Sequence, residues 1–122
     1  MTQKRAGHAC LMIDEEEIIV VGGYDGSHRL KSSEIFNTRA ETWRQGPEIP
    51  EKATEGTLVK AKVGFKYLAY HIGGYDGSHF HSAIYGLKRD LTGFKKIGEF
   101  QTARDELVAF VLKEPIGEKC GN

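Results

Sequence analysis

Gly22-Gly23-Tyr24-Asp25-Gly26-Ser27-His28 recurs unchanged as Gly73-Gly74-Tyr75-Asp76-Gly77-Ser78-His79, at an offset of 51 residues. Each copy follows an apolar run, residues 18–21 and 67–72. A period near fifty whose apolar run ends in a double glycine is the signature of a four-stranded propeller blade, a unit that must stack on neighbours to bury its faces.

The register extends outward from the heptapeptide. Trp43 lies 20 residues beyond Gly23, and Phe94 lies 20 beyond Gly74. Ile49 and Phe100 follow six residues later, and Arg104 stands to Phe100 as Arg5 stands to Met1. Met1, Ile49 and Phe100 therefore share one register position at the junction between repeats. Unit one spans three fewer residues than unit two from junction to double glycine, which predicts a longer first hairpin in unit two.

Strands follow from alternation. In unit one they fall at residues 8–13, 18–21, 33–37 and 42–44, with Asp14-Glu15-Glu16-Glu17 as the first turn and Glu34 pointing outward from its neighbours. Unit two repeats them at 57–62, 67–72, 83–88 and 93–97, and residues 107–112 form one more apolar strand. Gly22, Gly23, Gly73 and Gly74 mark a close backbone approach and a sharp exit that a Cβ would obstruct. Asp25-Gly26 and Asp76-Gly77 supply turn chemistry. Trp43 and Phe94 read as fillers between blades.

Composition limits the function classes. The 122 residues carry 17 basic and 17 acidic side chains, so no nucleic-acid footprint and no basic membrane patch is legible. No apolar run is long enough to span a bilayer as a helix. Cys10 and Cys120 read as unbridged thiols, one in a strand and one in a Gly-rich tail, which favours reducing, cytoplasmic surroundings. The double glycines do not read as a phosphate cradle, because neither helix pattern nor P-loop lysine follows them. His28, His79 and His81 can be drawn as a metal site across adjacent blades; the competing reading is solvated turn histidines, and no metal or other cofactor is assigned. His71 stands in the apolar run where unit one has Val20 and reads as a hydrogen-bonded core histidine. No nucleophile, base and orienting group can be assembled from spacing.

Arg5-x-x-His8, the apolar strand, Gly22-Gly23-Tyr24-Asp25-Gly26, Ser32-x-Glu34-x-Phe36, Trp43 and Pro50 together resemble a kelch repeat. Unit two is a degenerate copy, with Ala53 where arginine is expected and Tyr85 where glutamate is expected. The resemblance implies an all-β, partial kelch β-propeller: two four-stranded antiparallel blades, residues 1–52 and 53–101, plus one extra inner strand at 102–113 and a tail at 114–122. Since propellers close with four to eight blades, the chain reads as the C-terminal piece of a longer protein, with the 104–113 strand closing the ring. Assembly of three copies into one ring and an independent half-propeller are the rivals.

The resemblance also implies a noncatalytic interaction module that binds a protein or peptide, within a larger adaptor or scaffold, extending to substrate recognition in a ubiquitin-ligase adaptor. The alternatives are a fragment of a galactose-oxidase-like copper enzyme and a cytoskeletal, actin-binding scaffold. Partner-contacting positions carried over from the family are Tyr24, Tyr75, Ala6 and Asp105, with His28 and His79 beside them. Arg5 and Arg104 are expected to tie the junctions to neighbouring backbone carbonyls.

Overall fold

The computed structural model describes residues 3–61 and 66–99. Eight strands form two four-stranded antiparallel sheets. The first contains β1 (Ala9–Met12), β2 (Glu17–Val21), β3 (Ser33–Asn37) and β4 (Thr42–Gln45); the second contains β5 (Thr57–Lys60), β6 (Tyr67–Ile72), β7 (Ala83–Lys88) and β8 (Phe94–Glu99). Each sheet runs in chain order, with antiparallel neighbours throughout. The fold is a pair of propeller-type blades. The strand expected at 107–112, together with Arg104, Asp105 and Cys120, lies outside the described residues.

Side-chain polarity sets each turn. The Asp14 carboxylate accepts the amides of Glu16 and Glu17, both at 2.8 Å, closing the β1–β2 hairpin. The Asn37 side chain does the same for Arg39 and Ala40 at the β3–β4 turn, an arrangement that short polar side chains favour because they mimic a backbone turn. Unit two is longer by three residues for two reasons. Its first connection, residues 61–66, has two more residues than 13–16, and a bulge at Leu68 absorbs the third, since Tyr67 and Ala69 pair with the consecutive residues Lys88 and Leu87.

Alternation gives every sheet two faces. One face of blade one, formed by Ala9, Leu11, Ile13, Ile19, Val21 and Ile35, packs against the opposite-type face of blade two, formed by Leu58, Ala69, Ala83, Tyr85, Leu87 and Phe94. The inner strands β1 and β5 lie side by side in this contact. Burying side chains such as Ile19, Ile35 and Leu87, which are sealed from solvent, contributes about 1.5–3 kcal/mol each. A second cluster, Val59, Tyr67, Tyr70, Ile72 and Ile84, occupies the other face of blade two.

Trp43 and Phe94 take the equivalent face of their blades: Phe94 lies in the core between the two blades, and Trp43 sits on the face of blade one turned away from blade two, half-buried against Phe36 with ring centroids 4.8 Å apart. Two expectations need correction. Glu34 is buried rather than outward, because Arg5 folds over the strand to meet it. Cys10, whose side chain also points away from the interblade core, is disulfide-bonded, so it carries no argument for reducing surroundings.

Candidate functional site

The two identical heptapeptides fold identically. Asp25 accepts the amides of Ser27 and His28 at 2.8 and 2.7 Å, and its own amide donates to the His28 carbonyl at 3.1 Å. Asp76 repeats the pattern with Ser78 and His79 at the same distances. These amides hold both carboxyls below the ordinary aspartate range, the His28 and His79 amides contributing most. Gly26 and Gly77 complete the turns at φ of 103° and 105°, a region that side-chain-bearing residues avoid.

Such a turn brings the tyrosine opposite the first residue after the heptapeptide, and there the units differ. Tyr24 bridges to Arg29, whereas Tyr75 bridges to Phe80. The Arg29 guanidinium then reaches from blade one to blade two, its central carbon 5.1 Å from the Tyr24 ring and 5.1 Å from the Tyr75 ring. Phe80 stacks on Tyr75 with centroids 4.7 Å apart. The result is a row, Tyr24–Arg29–Tyr75–Phe80, across both blades. Cation–π contacts at such exposed positions contribute about 0.5–1 kcal/mol each. The Tyr75 hydroxyl donates to the Gly77 carbonyl at 2.9 Å, pinning its ring. Phe80 is 73% exposed and Tyr24 36%, so a large apolar surface faces solvent beside a held cation.

The other carried-over positions surround this row. Ala6 is exposed and exchanges two backbone hydrogen bonds with Tyr24, at 2.9 and 2.8 Å. His28 and His79 project into solvent from the turn tips, while His81 turns inward, so the three imidazoles do not converge. Among the described residues no group of three or more His, Cys, Asp and Glu side chains is arranged to hold a metal ion. Sequence reading missed Arg29 and Phe80. Their signal was present, as they are the first positions at which the two heptapeptide copies diverge.

Behind the row the two blades solve one problem differently. In blade one, Arg5 donates through Nη1 to the Gly22 and Ser32 carbonyls, at 2.8 and 3.0 Å, and through Nη2 to Glu34 at 3.2 Å. In blade two the register mates of this pair are Ala53 and Tyr85. There His81 Nε2 lies 3.1 Å from Glu51 and 3.2 Å from Asp76, and burial together with Glu51 pushes the Tyr85 hydroxyl up to about 12. An imidazole is also relocated: unit one has His8 and Val20 where unit two has Gly56 and His71. A Cβ on Gly56 would lie 2.5 Å from His71 Nε2, so the glycine makes room for the ring.

His71 is fully buried, its Nδ1 has no hydrogen-bond partner among the described residues, and burial lowers its pKa to about 4. The unfolded chain binds this proton near pH 6.5 and the folded chain does not, so stability is full above that value and falls as pH drops from about 6.5 towards 4. Between pH 7.5 and 5 the loss from this residue should be about 2 kcal/mol. Urea unfolding at both pH values checks it: His71→Leu should flatten that interval, and an unchanged slope would refute the assignment.

With this geometry in place, the comparisons are specific. The kelch motif matches residues 4–50. A kelch repeat and BTB domain-containing protein of Caenorhabditis elegans is 31% identical over 64 residues, covering 52% of this chain and 10% of that protein. The kelch match takes in the first blade, 47 of the 122 residues. A fungal alcohol oxidase of the AA5 family, solved in complex with copper, shares its fold with a TM-score of 0.69 at 11% identity, over 82% of this chain and 23% of the oxidase. The chain thus spans about a tenth of the curated relative and less than a quarter of the oxidase.

Proposed function

We propose that this chain is a noncatalytic, kelch-type protein-interaction module whose contact surface is the row Tyr24–Arg29–Tyr75–Phe80. The observation that carries the reading is the exposure of Phe80 on a pinned Tyr75, beside an arginine held between two rings. Aromatic rings and arginine dominate the energetics of protein interfaces because they bring large contact area at low entropic cost. Rigid turns reduce that cost further, since the surface is ordered before a partner arrives. Ala6, His28 and His79 form the rim, and Asp105 is the remaining family position. The kelch and BTB relative supports placement in a larger adaptor or scaffold, with substrate recognition for ubiquitin ligation as the narrower form of the proposal. The copper oxidase, at 11% identity, supports the fold alone, and no copper step is assigned to these residues.

Selection of peptides from a displayed random library against the immobilised chain tests the reading. Selected binders should lose about tenfold or more in affinity when Tyr75 and Phe80 are both replaced by alanine. They should be indifferent to Glu16→Gln at the far end of blade one. Binders that ignore the Tyr75 and Phe80 replacements would place the contact surface elsewhere.

A further inference from the structure

The end of blade two opposite the double glycines carries a cleft of about 350 Å³ lined by Lys66, Tyr67, Lys88, Arg89, Asp90 and Lys95. Four cations there face a single acid. The repeat shows how unusual this is, because the same register in blade one is electrically satisfied. Arg39 pairs with Glu16 at 3.1 Å, and Arg44 pairs with both carboxylate oxygens of Glu17. In blade two Lys66 stands in the place of Glu16 and Tyr67 in the place of Glu17, while Lys95 keeps the charge of Arg44. Both acids of blade one are thus absent from blade two, where the place of Arg39 falls to Asp90 and only the Arg44 cation has a counterpart. Asp90 does not replace them: its carboxylate accepts the Thr92 amide at 3.0 Å and the Thr92 hydroxyl at 2.6 Å. Among the described residues, Lys66, Lys88 and Lys95 make no salt bridge.

The backbone gathers these groups on one face. Lys88 pairs with Tyr67, and Lys95 pairs with Gly86, two residues before Lys88, so all three side chains project to the same side of the sheet. A Cβ on Gly86 would lie 2.6 Å from the Tyr67 ring, so the glycine lets that ring lie flat between the lysines as a floor. Lys66 extends over the same ring, its Nζ 5.8 Å from the centroid.

We propose that this cleft binds a compact polyanion bearing two or more phosphate groups. Like charges crowded around a shared space repel one another, and a multivalent anion is the ligand that neutralises several at once. The volume suits a small ligand, at the lower end of the ~300–1,000 Å³ range of small-molecule sites. The site is remote from the aromatic row and does not depend on the peptide-binding reading.

Titration calorimetry of the full chain with tripolyphosphate at low ionic strength should show one saturable site that weakens as salt is added. Lys88→Gln with Lys95→Gln should weaken it about tenfold or more; these neutral, exposed replacements leave the blade cores intact, and circular dichroism verifies the fold. Vesicles of phosphatidylcholine with and without phosphatidylinositol bisphosphate form the second arm. Binding of the phosphoinositide vesicles, competed by tripolyphosphate and lost in the double variant, identifies a lipid headgroup as the source. Tripolyphosphate binding without vesicle binding identifies a free phosphorylated ligand. Absence of both, or binding that survives the double replacement unchanged, overturns the proposal.

Discussion

Replacing Arg5 with alanine is expected to cost about 3–5 kcal/mol of stability, the range for breaking one side of a buried ion pair. The Arg5 and Glu34 side chains are only 1% and 5% exposed, so removal of the guanidinium leaves a carboxylate in a site that water hardly reaches. The Gly22 and Ser32 carbonyls lose donors at the same time. Adding Glu34→Gln should recover on the order of 1–2 kcal/mol, because a neutral amide tolerates that site better than a carboxylate. Urea unfolding at neutral pH of the two single variants and the pair gives the coupling directly. A loss under about 1 kcal/mol for Arg5→Ala would show that the pair is solvated, as exposed pairs are.

A comparable loss is expected from Gly22→Ala. The new Cβ would stand 2.4 Å from the Ala53 carbonyl oxygen, a backbone atom that cannot rotate away. The position also has φ of 69°, which costs a side-chain-bearing residue about 1–2 kcal/mol by itself. Relief requires moving residue 53, whose carbonyl accepts the Gly23 amide at 2.8 Å and whose amide donates to Leu30 at 3.1 Å. Strain and displacement together should exceed about 3 kcal/mol. Two glycines serve as controls in the same thermal unfolding series. Gly26→Ala meets no atom of the described residues within 4 Å and isolates the conformational cost, while Gly93→Ala has neither positive φ nor a clash with the described residues and should be near neutral. Equal shifts for Gly22→Ala and Gly26→Ala would show that the close approach to Ala53 contributes nothing.

Much of this architecture was legible because repetition supplies its own alignment. The heptapeptide copies placed the corners, the apolar runs placed β2 and β6, and alternation placed the remaining strands. Face assignment was harder. Trp43 and Phe94 share a register, yet a residue's environment depends on which neighbour covers its face, and the local pattern does not contain that information. Glu34 was misjudged because period-two reasoning treats a glutamate as solvent-seeking, whereas Arg5, 29 residues earlier, compensates it. Sequence reading located Tyr24 and Tyr75 but missed Arg29 and Phe80, whose roles arise from cross-turn pairing. The basic cleft was hidden for another reason: net charge sums the acidic end of blade one with the basic end of blade two, and the opposing signs cancel on paper though not in space.

The relocated imidazole of blade two limits how far one unit can stand in for the other. Histidine at position 56 would drive a side chain into His71, and arginine at 53 would bury a cation opposite Tyr85 rather than a glutamate. No single substitution returns the second unit to the pattern of the first. Gly56 is matched to His71 by shape and Ala53 to Tyr85 by charge, so the two halves of this chain are not exchangeable parts.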